Sequence, residues 1–245
     1  MSINQTLLIE TEPYLNQYDC EQHEVKRFLS RLDVYELPRN HQPFQERKRT
    51  LVAAFSAVME PHGKKHLFEH ISQLGQIEDA YNNVDLNHRD HVIHALLTFI
   101  LGIYINEIYW GKIGNYTADK FQWEIASLFH DIGYTAQFAN RTFQQYFKYI
   151  KPTVSGAPFL PPRFHELSKR INGLDVIQRQ LNIWNLAIDV ESEYRRMFKE
   201  SKMNHGIISS LTILKRIDAL YQKKNPERLD YYEDNWEGIN YGQKC

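Results

Sequence analysis

Cysteine is almost missing from this chain: Cys20 and Cys245 stand near opposite ends of 245 residues. Two such residues cannot form a disulfide framework, and a reducing cytoplasm is the default expectation. Charge of either sign is also lacking in excess. A net charge of −1 leaves no broad electrostatic footprint for nucleic acid or an anionic membrane. Long hydrophobic runs are absent too. The longest, Ala95 to Ile105, is interrupted by Thr98 and Gly102 and is too short to span a bilayer. The N-terminal stretch carries Glu10 and Glu12 where a signal peptide would be basic and then apolar. No P-loop, Gly-rich dinucleotide fingerprint or Gly-x-Ser-x-Gly elbow occurs, which removes support for kinase, dehydrogenase and α/β-hydrolase chemistry. Alternating β-branched runs and internal repeats are likewise missing. The expectation is a cytoplasmic, soluble, all-α protein with no membrane partner.

What is present fits that class. Hydrophobic residues make up 42% and charged residues 24%, ordinary for a globular chain, and 15 tyrosines favour a well-filled core. Residues 1–20 show no period and read as an irregular lead-in. Val25, Phe28, Leu29 and Leu32 recur at three and four, predicting a helix over 21–37 that Pro38 and the segment 40–43 break. Gln45 to Met59 is a second helix, basic at its start through Arg47, Lys48 and Arg49. Residues 64–81 form a third, and His88 to Trp110 a long buried one. Thr117 or Asp119 caps a helix that runs to Phe129. A further aromatic helix spans 137–150. Lys151 to Pro162, with four prolines, is a loop long enough for a lid or a substrate-facing insertion, or merely a connector. Helical period returns over 174–198, through Leu174, Ile177, Leu181, Trp184, Ile188 and Tyr194, and again from His205 to Tyr221. One domain, 1–245, results: an N-terminal helical extension over 1–80, a helical core over 81–222 and an irregular tail over 223–245.

The chemistry concentrates in Trp123-Glu-Ile-Ala-Ser-Leu-Phe-His-Asp-Ile-Gly-Tyr134. Ile125, Ala126, Leu128 and Phe129 make an apolar helix that ends in two hard polar side chains, His130 and Asp131. A carboxylate buried without a partner costs several kcal/mol, roughly, and a divalent cation ligated by imidazole and carboxylate resolves that cost. Gly133 lets the backbone turn sharply away. Two other apolar helices carry histidine. His91 and His94 stand at i and i+3 on the most hydrophobic helix, and His205, between Asn204 and Gly206, opens another. Packed helices can converge such side chains on one point. His66 and His70 share a helix face but have no third ligand nearby and read as a solvated surface.

Arg89-Asp-His-Val-Ile-His94-Ala-Leu-Leu-Thr-Phe-Ile-Leu-Gly102, followed by Leu128-Phe-His130-Asp131-Ile-Gly-Tyr134, resembles the HD-domain superfamily of metal-dependent phosphohydrolases. The resemblance covers roughly residues 85–220 and implies a helical bundle whose ligands run His … His-Asp … Asp. It assigns His94 as the first ligand, with His91 the competing choice. His130 and Asp131 match the signature dipeptide, and Asp131 would bridge two metals in a binuclear member. Asn204-His205-Gly-Ile-Ile-Ser209 resembles a branch in which an additional His supports a second ion. The closing Asp has no clear counterpart. Asp218 comes only thirteen residues after His205, and Asp230 and Asp234 lie in the irregular tail. Either the chain stops short of the family's final helices, or that ligand is lost. Missing helices would leave an apolar face that favours a homo-oligomer.

With an intact site, one or two divalent ions (Fe, Mn, Ni, Zn or Mg) would lower the pKa of a water and polarise a phosphoryl oxygen. Asp131 could also orient that water, and Arg89 and Lys202 are the nearest sequence neighbours able to hold a phosphate. The expected activity is phosphomonoester or phosphodiester hydrolysis on a nucleotide or related phosphoester. The alternative is a catalytically incomplete sensor or assembly module that binds a nucleotide or a protein partner.

Overall fold

The computed structural model of the chain describes residues 10–15, 23–38, 41–60, 65–82, 90–109, 120–140, 142, 165–167, 172–200 and 202–224. It is all-α, as the periodicity predicts. Among the described residues the only β-type pairing is an isolated bridge between Glu166 and Asn172. No helix there is long and apolar enough to cross a membrane. The chain divides into two compact units, Met1–Phe129 and His130–Cys245.

In the first unit, residues 10–15 are helical, where an irregular lead-in is expected. Helix α1 (His23–Leu29) is shorter than the period suggests. Arg31 donates its N–H to the Phe28 carbonyl, tightening the chain into a 3-10 turn, Leu32–Glu36, ahead of Pro38. Helix α2 (Gln42–Met59) starts three residues earlier than predicted, with Pro43 in its first turn, where a missing N–H leaves no helical bond unmade. Helix α3 (Lys65–Asn82) and helix α4 (His91–Ile103) follow. The long helix expected to Trp110 changes to π-helical winding over Tyr104–Tyr109. Helix α5 (Lys120–Phe129) packs on α4. Trp123 explains the closeness: its indole lies against Gly102, where an added Cβ would come within 1.8 Å of the ring. Its Nε1 donates to the Phe99 carbonyl at 3.2 Å. Phe28, Phe55 and Phe99 pack in series through the core, the first pair tilted and the second edge to face, with centroids 4.9 and 5.3 Å apart.

In the second unit, residues 134–140 are helical. Helices α6 (Gly173–Ile183), α7 (Val190–Lys199) and α8 (His205–Lys224) complete it. Leu174, Tyr194, Met197, Ile208 and Leu211 form its core, with Ile177 and Leu181 packed at the edge. The single helix predicted over 174–198 is two. Asn185 adopts a left-handed conformation (φ 55°), Leu186 donates to the Leu181 carbonyl and Asn185 to that of Asn182. These paired bonds end a helix in the Schellman arrangement, in which asparagine is tolerated at the left-handed position. Trp184 and Ile188, which carry the helical period in the sequence, are consequently exposed. Residues 1–9, Thr117, Asp119, 143–150, 151–162 and 225–245 lie outside the described residues.

Candidate metal centre

Helix α5 passes at Phe129 straight into the turn His130–Gly133, which opens the second unit. Asp131 is the floor of this turn: its side chain is 5% exposed, against 34% for His130 and 38% for His205. One carboxylate oxygen, Oδ1, lies 3.2 Å from His130 Nε2 and 3.9 Å from His205 Nε2. A buried acid flanked by two half-exposed imidazoles is a donor set of borderline and hard atoms, suited to a divalent transition ion and reachable from solvent.

The turn is fastened from α8. Ser209 Oγ donates to the His130 carbonyl at 2.6 Å and accepts the Gly133 N–H at 2.8 Å. One hydroxyl thus satisfies a donor and an acceptor at once. Gly133 is needed for proximity. A Cβ there would sit 2.3 Å from the His205 carbonyl oxygen and 2.9 Å from Ser209 N. The sharp departure expected at this glycine is therefore a close approach of two backbones. Tyr134 then stacks on the His205 imidazole, centroids 4.1 Å apart and planes 19° from parallel, which holds that ring in one plane. Neither Ser209 nor Tyr134 is marked by residue type as part of a metal site. Only their position, one in the quoted motif and one four residues after His205, could have pointed to them.

The first unit places its charged groups around the start of α4. Asp90 is the N-cap and accepts the Ile93 N–H at 2.8 Å. Glu78 of α3 takes the next donors, with Oε1 accepting the His91 N–H at 2.7 Å and Oε2 the Val92 N–H at 3.2 Å. His91 Nδ1 also meets Glu78 Oε1 at 2.7 Å. Lys48 Nζ neutralises the group, 2.6 Å from Asp90, 3.1 Å from Asp79 and 3.5 Å from Glu78. Burial alone would lower the Lys48 ammonium, but Asp90, Glu78 and Asp79 outweigh it and hold its pKa above the usual value. Burial pushes the Asp90 carboxyl up against the pull of Lys48. Lys48, one of the three residues that make the helix start basic, is therefore buried: its side chain is 3% exposed. Arg47 beside it does lie at the surface, paired with Asp33 at 3.2 Å.

Imidazole and carboxylate groups that could each offer a metal one ligand atom occur in both units: His94 in the first, His130 and Asp131 in the second. His94 is half-buried on α4, one turn after the buried His91, whose Nδ1 is committed to Glu78. Lys202 is exposed in the α7–α8 connection, 3.8 Å from Glu200. Arg89, Asp230 and Asp234 lie outside the described residues, as do the side chains of His66, His70 and Asp218. Compared with known proteins, the chain matches no family model, no curated protein and no solved structure.

Proposed function

We propose that the chain is a metal-dependent phosphohydrolase of HD-domain type, acting on a nucleotide or related phosphoester. The observation that carries this reading is the buried Asp131 carboxylate, whose Oδ1 faces the Nε2 atoms of both His130 and His205. Burying an acid beside two half-exposed imidazoles serves no packing purpose, whereas a divalent cation gives all three a common partner. His130 and Asp131 would hold the first ion, and His205 would support a second. A bound ion there supplies Lewis acidity to a phosphoryl oxygen and an acidified water.

The chain's own residues do the remaining work. Asp131 accepts a hydrogen bond from the attacking water and so aims it. Ser209 fixes the backbone of the His130–Gly133 turn, and Tyr134 fixes the plane of His205, so the ligands are preorganised. Lys202, exposed three residues before His205, is placed to hold the phosphate. Asn204 caps α8 by accepting the Ile207 N–H at 3.2 Å, so the positive end of that helix lies beside His205.

A hydrolysis screen over nucleotides and simple phosphoesters, run with Mn, Fe, Ni, Zn and Mg in turn, tests the proposal. Turnover with at least one metal is expected, and His130→Ala and Asp131→Ala should each abolish it. Undiminished turnover in Asp131→Ala would overturn the mechanism.

A further inference from the structure

The connection between α6 and α7 presents Ile183, Trp184, Leu186 and Ile188 to solvent, 70%, 60%, 45% and 45% exposed. No charged side chain falls between Gln180 and Ile188. The segment is nonetheless well fastened. Besides the Schellman bonds, Gln178 Nε2 donates to the Ile188 carbonyl and to Asn182 Oδ1, each at 2.9 Å, while its Oε1 accepts the Val190 N–H at 2.8 Å. A clasped apolar knob costs little further ordering on binding, which is the condition for an effective contact.

We propose that this knob is the centre of a reversible two-fold interface with a second copy of the chain. Four large apolar side chains exposed to this degree present roughly a few hundred Å², the scale of the largest apolar patch on a typical protein, which is often functional. A standard interface buries about 800 Å² per partner, a little over half of it apolar, so the knob supplies the apolar share of such an interface. Its rim carries charges of both signs that are paired within the chain: Arg195 with Glu191 at 2.6 Å, and Arg196 with Glu193 and Glu200. A rim balanced in this way sets no like-charge repulsion against a second copy related by a two-fold axis. A lipid surface fits less well, because these arginines already hold acidic partners. Trp184, the largest of the four, is the anchor.

Sedimentation velocity of the full chain over a wide concentration series tests this, with phosphatidylcholine vesicles as a second arm. The weight-average mass should rise from 29.1 kDa toward twice that value. Trp184→Ala and Leu186→Ala should each weaken association, the former by at least about tenfold, with unchanged circular dichroism because both side chains are exposed. A chain that stays monomeric throughout, or a dimer indifferent to both substitutions, would overturn the proposal. So would wild-type protein that pellets with the vesicles through Trp184.

Discussion

Replacing Ser209 by Ala removes both hydrogen bonds that tie the His130–Gly133 turn to α8 and leaves the Gly133 N–H and the His130 carbonyl without that partner. The expected loss is about 1–3 kcal/mol, read as a lower midpoint in chemical denaturation, with metal affinity falling as well. Gly133→Ala should cost at least as much, because the obstructing atom is a backbone oxygen 2.3 Å away and cannot swing aside. The sequence makes His130 and Asp131 legible as a candidate metal-ligating pair, since two hard polar groups end an apolar helix. It does not reveal why Gly133 is glycine. That reason is a contact with residues more than seventy positions later, which no local pattern encodes. His205 is legible as a helix-opening histidine, while the Tyr134 ring stacked on it is a tertiary fact.

At the level of elements, the start of α4 rests on a buried ionic group. Lys48→Met leaves Glu78, Asp79 and Asp90 without their cation and should destabilise the fold by about 3–5 kcal/mol, measured by denaturant titration. Because the Lys48 pKa is raised in the fold, its stabilising contribution is complete below its ordinary 10.5 and is lost as pH climbs through the higher folded value. Tyr194 adds to the same trend. Burial in the core of the second unit pushes its phenol from 10.0 up to about 12. The neutral phenol is favoured in the fold, so this contribution is present below pH 10.0 and disappears as pH rises through about 12. Thermal melts from pH 9 upward should therefore show Tyr194→Phe losing stability less steeply than wild type. Helix periods placed α2, α3 and α8 closely, because the apolar spacing of each runs without a break in the sequence. They failed over 174–198, where Trp184 and Ile188 keep the helical spacing while the left-handed Asn185 ends the helix. They also failed for Lys48, since a charge buried by three carboxylates from distant positions looks, in sequence, like one more surface lysine.

For the whole molecule, the all-α class was legible because helical period recurs along the chain and strand alternation nowhere competes with it. The division at Phe129 was not. It falls inside the most informative motif, where one helix runs directly into the His130–Asp131 turn, so no linker composition marks it. Function at this scale depends on whether the purified chain carries metal. Elemental analysis by mass spectrometry, on wild type and Asp131→Asn side by side, measures this directly. Wild type should hold about one or two divalent ions per chain, as expected of a HisHisAsp set. Asp131→Asn, which keeps the side-chain shape and removes the charge, should lose them while remaining folded by circular dichroism. Wild type that takes up no divalent ion after incubation with each candidate metal, or Asp131→Asn that keeps its full complement, would contradict a metal centre at Asp131.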